Sequence, residues 1–437
     1  MSDYRESTET VEEGYPSLRK NWDFLRLLFG RLVTNAGDSL YTVATMWLVY
    51  DLTGSTVYTG IASSMLLLPM VLQFISGPLV DRWPLIRALV VIQLIQAVAV
   101  LSLPVAMYTG NLTVELLLAT IPLLALLNQF VYPAQSAALP QIVSKNQLAR
   151  GNSAFSFANN GLDMLFDALG GAIVALIGAA SLFILDSITF AVAALSFVGV
   201  QLPAKKDTDE EVAKIDVSGY ITDLTEGVRC LRGSVLVEMT IAGAVGNLGL
   251  GMTLAILPSF ASIRAGPALY GAMLGALGIG TVVGAAVASK LETIKFGPLR
   301  IVTSAIGCIL WLGAAYAPWS PLAVGLFALA WIPGGIAGVM SETLEQTVTP
   351  EHLLGRVTSA TASASMISLP IGALLGGVVG SLIGTVNTMA IGGLTLGFVS
   401  LFYTVRPRLR RLPAMNNIDP KEFNAQVESS SVSEGSD

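Results

Sequence analysis

The chain has 437 residues, 53% hydrophobic and only 12% charged, with 43 glycines and a formal net charge of -6. So little polar surface cannot cover a water-soluble body of this size. The acidic excess gathers at the two ends and in residues 207–211, where it reads as solvated chain. No basic patch suits a nucleic acid: the run Arg406, Arg408, Arg410 and Arg411 reads as a membrane-topology signal in contact with anionic lipid.

Residues 1–21 are polar and acidic, lack a signal-peptide pattern and predict a disordered tail, so the first apolar run is expected to act as an uncleaved anchor. Twelve apolar runs follow, at residues 24–50, 59–80, 88–108, 114–136, 152–177, 180–202, 237–262, 269–290, 299–317, 322–347, 357–382 and 386–404. Each is long enough to cross the ~30 Å hydrocarbon core as a helix. The predicted fold is an all-α membrane protein with twelve transmembrane helices. Its parts are a six-helix bundle over 22–202, a partly helical cytoplasmic linker over 203–236, a second bundle over 237–405 and a mostly disordered cytoplasmic tail over 406–437.

Twelve crossings put both ends on one side. Lys and Arg fall in the tails and in alternate connections: Arg82 and Arg87, Lys145 and Arg150, Lys205 through Arg232, Lys295 and Arg300, and Arg356. By the positive-inside rule that side is the cytoplasm. Only Arg264 need lie opposite. The expected location is a prokaryotic cytoplasmic membrane, with lipids as partners and a monomer as the assembly. Cys230 in the linker and Cys308 in the ninth run are not placed to form a disulfide.

The two bundles repeat. At a shift of 206 residues, Gly170-Gly171-Ala-Ile-Val-Ala-Leu-Ile-Gly178 aligns with Gly376-Gly377-Val-Val-Gly-Ser-Leu-Ile-Gly384, and Arg150, Ser153 and Ala154 align with Arg356, Ser359 and Ala360. Parallel repeats about an axis along the membrane normal describe a transporter architecture. Gly372, Gly376, Gly380 and Gly384 form a stripe that lets helix backbones approach closely in lipid.

Carboxylates inside a membrane cost about 2.5–3.5 kcal/mol each on insertion scales and are functional candidates. Arg31, Asn35, Asp38, Thr42 and Thr45 share one helix face, as do Asn159, Asp163, Asp167 and Gly170. Two such stripes around an aqueous cavity avoid hydrocarbon. Asp38, Asp163 and Asp167 are therefore candidates for proton coupling, with structural hydrogen bonding as the alternative. Asp186, in the sixth run, is expected to make a helix–helix hydrogen bond. Glu342 and Glu345 are expected either to gate against Arg356 or to face cytoplasmic water. Enzyme readings fail on inventory: the single His352 has no nucleophile partner, there is no phosphate-binding Gly-x-x-x-x-Gly-Lys loop, and neither metal nor cofactor is expected.

Gly77-Pro-Leu-Val-Asp81-Arg82, followed by the basic Arg87, resembles the loop signature of the major facilitator superfamily. Gly37-Asp38, Leu52-Thr53-Gly54, Pro133-Ala134, Leu139-Pro140, Asp186-Ser-Ile-Thr-Phe190, Tyr270-Gly271 and Gly355-Arg356-Val357 resemble its branch of macrolide-efflux proteins and the enterobactin exporter. The chain departs from the family's antiporter motif, with Phe166-Asp167 where Gly-Pro would stand, and lacks the membrane arginine found in the fourth helix of many proton-coupled members. The resemblance implies alternating access, with Asp81, Arg82, Arg87 and Arg356 as latch residues. By the same analogy Asn35, Tyr41, Asn128, Gln129, Tyr132, Asn247 and Trp331 are candidate walls of the substrate cavity. Amides and aromatics among apolar groups suit a hydrophobic or amphiphilic organic substrate, drug-like or siderophore-like. The implied activity is secondary export by proton antiport. An uncoupled or lipid-directed carrier, such as a lysolipid flippase, and a non-transporting receptor or scaffold are the alternatives.

Overall fold

The structure, a computed structural model, describes residues 16–71, 84–158, 163–202 and 234–418. Its helices are α1 (Trp22–Thr53), α2 (Thr56–Val71), α3 (Leu85–Tyr108), α4 (Val114–Ile142), α5 (Leu148–Ser156), α6 (Asp163–Val198), α7 (Val235–Ser262), α8 (Pro267–Ala288), α9 (Phe296–Ala315), α10 (Ser320–Val348), α11 (Glu351–Met366), α12 (Ser368–Ile383) and α13 (Thr385–Val405). Among the described residues nine helical stretches are long and apolar enough to cross a membrane. One of them, Leu165–Val198, reverses at Gly178 and supplies two crossings. The more polar α1 and the short described part of α2 complete the twelve.

The 206-residue repeat reappears in the backbone. Gly178 (φ 77°, ψ 163°) turns the fifth crossing into the sixth, and Gly384 (φ 84°, ψ 157°) turns the eleventh into the twelfth. Both lie in a region that only glycine enters without strain. The eleventh crossing, predicted as one helix, is α11 and α12, which run on from one another through Ile367 with helical backbone angles (φ -59°, ψ -24°) as one span, Leu353–Ile383.

The chain packs as two compact units, Met1–Leu48 with Leu72–Ile215, and Val49–Val71 with Asp216–Asp437. The first has a core built around Phe24, Leu27, Leu89, Val131, Phe155 and Phe197. The second has one built around Phe296, Met340, Leu344, Val399 and Tyr403. Large apolar side chains also lie on the outside, among them Leu176, Leu195 and Leu382, as a lipid-facing surface requires. Although α2 belongs to the first six crossings by sequence, it packs in the second unit. Its Thr56 Oγ1 donates to the Gly377 carbonyl at 2.8 Å, and a Cβ on Gly60 would lie 2.8 Å from the Gly377 Cα.

Glycines set the closest helix approaches in the second unit. Gly372 and Gly376 of α12 lie on the backbone of Leu248 and Met252 of α7, while Gly280 and Gly284 of α8 lie on the carbonyls of Ala328 and Ile332 of α10. Any side chain at these positions would force the helices apart, in a medium where packing itself holds them together.

Two ends of α9 are closed by other segments. Residues 407–418, placed by the sequence reading in a mostly disordered tail, fold back on its start. Phe296 and Gly297 donate to the carbonyls of Pro413 (3.0 Å) and Leu412 (3.4 Å), Met415 donates to the Glu292 carbonyl (3.0 Å), and Leu409 and Leu412 are buried. Orphan N–H groups of a helix start are thereby satisfied. At the other end Arg264 donates to the carbonyls of Ala315 (2.7 Å) and Ala317 (3.0 Å) and stacks 4.3 Å from the Phe260 ring centre. A cation at a helix C-terminus is favourable. This is the one Lys or Arg that the threading requires opposite the others, and it is neutralising carbonyls of the α9 end.

Candidate functional site

In the first unit the polar face of α1 turns inward. Asn35, 5% exposed, donates from Nδ2 to the Ala158 carbonyl at 3.0 Å, where the fifth crossing passes through a π-helical turn just beyond α5. π-Helical turns of this kind occur often at functional sites. Arg31 is buried, with its guanidinium 5.9 Å from the Tyr132 ring centre on α4. Asp38, half-buried, points into a region shared with Asp186 and Tyr41 and lies within electrostatic reach of both.

Asp186 was expected to bond another helix. It is instead fully buried against α1, accepts at Oδ1 from Thr189 Oγ1 of its own helix (3.2 Å), and has no hydrogen-bond partner for Oδ2 among the described residues. Gly37 explains the fit: a Cβ there would collide with Asp186 Oδ1 and Thr189 Oγ1. The Gly37-Asp38 pair therefore sets a notch and a carboxylate side by side, and Asp186 fills the notch. Sequence spacing linked the acids along single helices and gave no signal for this cross-helix pair.

The other first-unit candidates are dispersed. Tyr41 is 3% exposed, packs on Phe183 with the rings tilted at 54° and 5.9 Å apart, and turns its hydroxyl towards Thr45 and Thr120 without meeting either at bonding distance. Asn128 Oδ1 is buried with no partner among the described residues, and Gln129 is half-buried. Asp167 is half-buried on α6, one turn before Gly170, which packs on Val43 of α1. Arg87 is exposed on α3. Asp81, Arg82 and the side chain of Asp163 lie outside the described residues. Gln93, Gln96 and Gln135 went unremarked in the sequence; all three are fully buried, with both amide atoms unpaired among the described residues.

The second unit holds a cavity of about 530 Å³. Asn247 and Trp331, both predicted as cavity walls, line it, together with Trp311 and Arg300 of α9, which were not foreseen. Asn247 Nδ2 donates to the Ser365 carbonyl at 3.0 Å, two residues before the α11–α12 junction at Ile367. Trp311, Trp331 and Phe327 form one aromatic cluster with ring centres 5.1–6.2 Å apart. Glu342, Glu345 and Gln346 line the cavity at its other end. Glu345 accepts from Thr361 Oγ1 at 3.1 Å, and Glu342 accepts from Gln346 Nε2 at 3.3 Å. The Arg356 side chain is exposed and does not line this cavity.

Twelve crossings, a two-fold internal repeat, Asp186 buried against α1 and a cavity lined by amides and indoles fit a membrane transporter. A model of the transmembrane secretion effector family matches residues 15–436, and the chain belongs to this family, in the efflux branch of the major facilitator superfamily. The chain is 28% identical over 414 residues to the multidrug efflux pump Tap of Mycolicibacterium fortuitum, a match covering 90% of this chain and 98% of that one. It is 25% identical over 411 residues to Tap of Mycobacterium tuberculosis strain H37Rv, covering 90% and 94%. Among solved structures it resembles an inward-facing bacterial homolog of the human lysosomal transporter Spinster (TM-score 0.70, 12% identity, 89% and 98% covered). It also resembles an inward-facing bacterial homologue of the iron transporter ferroportin (TM-score 0.63, 16% identity, 90% and 100% covered). At these identities the structural likenesses establish the fold and not the cargo.

Proposed function

We propose that this protein exports hydrophobic or amphiphilic organic compounds from the cytoplasm by alternating access, driven by proton entry. The observation that carries this reading is the second-unit cavity: its lining is chiefly apolar, with two indoles, two amides, the carboxylates of Glu342 and Glu345 and one cation, Arg300, and not the cluster of cations that phosphate or nucleotide cargo needs. Kinship over most of the chain with multidrug efflux pumps supports the same cargo class. The side bearing Lys and Arg is the cytoplasm, so Glu342, Glu345 and Gln346 stand at the end of the cavity from which substrate enters.

Proton coupling is assigned to Asp38, with Asp163 and Asp167 as further carriers and Asp186 as the group that shares the environment of Asp38. Two acids held in one low-dielectric region interact strongly, and release of a proton from one depends on the state of the other. Asp81, Arg82, Arg87 and Arg356 act as the cytoplasmic latch. The monomer is the working unit.

The test is transport in reconstituted vesicles. Lipophilic dyes and antibiotics are followed across the vesicle wall under an imposed pH gradient, with Asp81→Asn as the control. Accumulation that collapses with the gradient and is lost in the variant supports proton-driven export. Equilibration independent of the gradient points to an uncoupled carrier, and binding without movement to a receptor.

A further inference from the structure

The second-unit cavity has two unlike ends set along one face of α10. Trp331, Gly334, Gly338, Glu342 and Glu345 follow one another at spacings of three and four residues, and all line it. At one end the Trp331 ring packs with that of Trp311, 5.2 Å between centres. The other end is anionic. Glu342 is exposed and Glu345 half-buried, so both side chains keep accessible surface.

Neither carboxylate is in an ion pair among the described residues. Thr361 Oγ1 lies 3.1 Å from both Glu345 oxygens, and Gln346 Nε2 donates to Glu342 at 3.3 Å. Neutral donors orient a carboxylate but leave its charge in place. The one cation of the wall, Arg300, has the Tyr403 hydroxyl of α13 as a neighbour and pairs with neither acid. Two carboxylates against one guanidinium leave the wall with an excess of negative charge. In a wall that is otherwise chiefly apolar, that charge is screened less than it would be on an open surface.

Between the two ends the wall is glycine. A Cβ added at Gly246 of α7 or at Gly338 of α10 would meet nothing within 4 Å, so these positions leave room for a ligand. Glu342 stands eleven residues beyond Trp331, about 16 Å along the helix axis. Its side chain leans back towards the helix start, which shortens the distance a ligand must span.

We infer that Glu342, with Glu345 beside it, is a charge-selecting site of this cavity, so that amphiphiles carrying a positive charge bind in preference to neutral analogues of the same ring system. Trp311 and Trp331 form the apolar end against which the ring system packs. The inference rests on the export reading for the class of compound, and it adds which members of that class are selected.

Binding to the full chain in non-ionic detergent micelles tests it without any gradient. The probes are Nile blue, a benzophenoxazinium cation, and Nile red, its neutral oxo analogue, both followed by dye anisotropy against empty micelles. Wild type is expected to bind Nile blue more tightly; equal binding of the two dyes overturns the inference without any variant. Glu342→Gln keeps the size of the side chain and removes its charge. It is expected to weaken Nile blue about 5–10-fold, the scale of one lost charged contact, while Nile red changes less than about twofold. Glu342→Asp retains the charge and is expected to retain the preference. Glu351→Gln removes a charge from exposed α11 surface outside the cavity and is expected to change neither dye. Equal weakening of both dyes by Glu342→Gln assigns the residue to packing and overturns the inference. So does unchanged Nile blue binding when Glu342→Gln and Glu345→Gln are combined, or an equal loss in Glu351→Gln, which would trace the effect to net charge. Failure of the export reading shows separately, as absence of dye movement in vesicles with the binding preference intact.

Discussion

Asn35 and Asn247 play the same part in the two units. Each donates its side-chain amide at 3.0 Å to a backbone carbonyl of a neighbouring crossing: Ala158 for Asn35, Ser365 for Asn247. Ala158 shifted by the 206-residue repeat falls on position 364, next to Ser365. An amide buried at membrane depth needs an acceptor, and a backbone carbonyl of the facing crossing supplies it in each unit.

Removing either amide strands a buried carbonyl. Asn35→Ala and Asn247→Ala are each expected to cost about 1–2 kcal/mol, read as a lower melting temperature in detergent. Because the two bonds lie in separate units, the double variant should lose close to the sum of the single losses. Unchanged melting in both single variants would mean that the carbonyls are served otherwise.

Gly37 is expected to tolerate no side chain. Gly37→Val drives atoms into Asp186 Oδ1 and Thr189 Oγ1, and overpacking of this kind costs about 1–3 kcal/mol. The same change at Gly54, where nothing lies within 4 Å of an added Cβ but φ is +60°, meets only backbone strain. Thermal melts of the two variants with far-ultraviolet circular dichroism separate steric conflict from strain: relief of the Gly37→Val defect by Thr189→Ala with Asp186→Ala identifies the former.

Asp186→Asn is expected to reduce gradient-driven dye accumulation at least 10-fold while leaving dye binding in detergent within twofold of wild type. Asp38→Asn should do the same. If accumulation in both variants follows the pH gradient as in wild type, neither acid carries the coupled proton.

The segment after α13 is expected to be needed for stability. A chain ending at Arg406 loses the carbonyls that accept from Phe296 and Gly297 and the buried Leu409. Relative to a chain ending at Ile418 it should lose about 2–4 kcal/mol, chiefly from the apolar side chains no longer buried, seen as a drop in melting temperature. Equal melting of the two chains would make the docked segment incidental.

Most of the architecture was legible because a membrane simplifies the code. Apolar length, cation asymmetry and the glycine-led repeat gave the crossings, and Gly178 and Gly384 bear out the repeat in their backbone angles. The bonds of Asn35 and Asn247 to the Ala158 and Ser365 carbonyls were not legible, since the partners lie more than 100 residues apart. The candidate walls Asn247 and Trp331 were named from their types and helices. Trp311 and Arg300 were passed over because nothing in a single helix tells which of its faces meets a cavity.

The sequence by itself determined that the chain crosses a membrane twelve times and as two related halves, because hydrophobic length and repetition are local properties of the chain. Only the tertiary structure decided that Asp186 stands beside Asp38, that Gly37 makes room for it, and that Trp311 and Trp331 join the wall of one cavity. These are relations between helices distant in sequence, and they depend on the rotation and depth at which each helix packs.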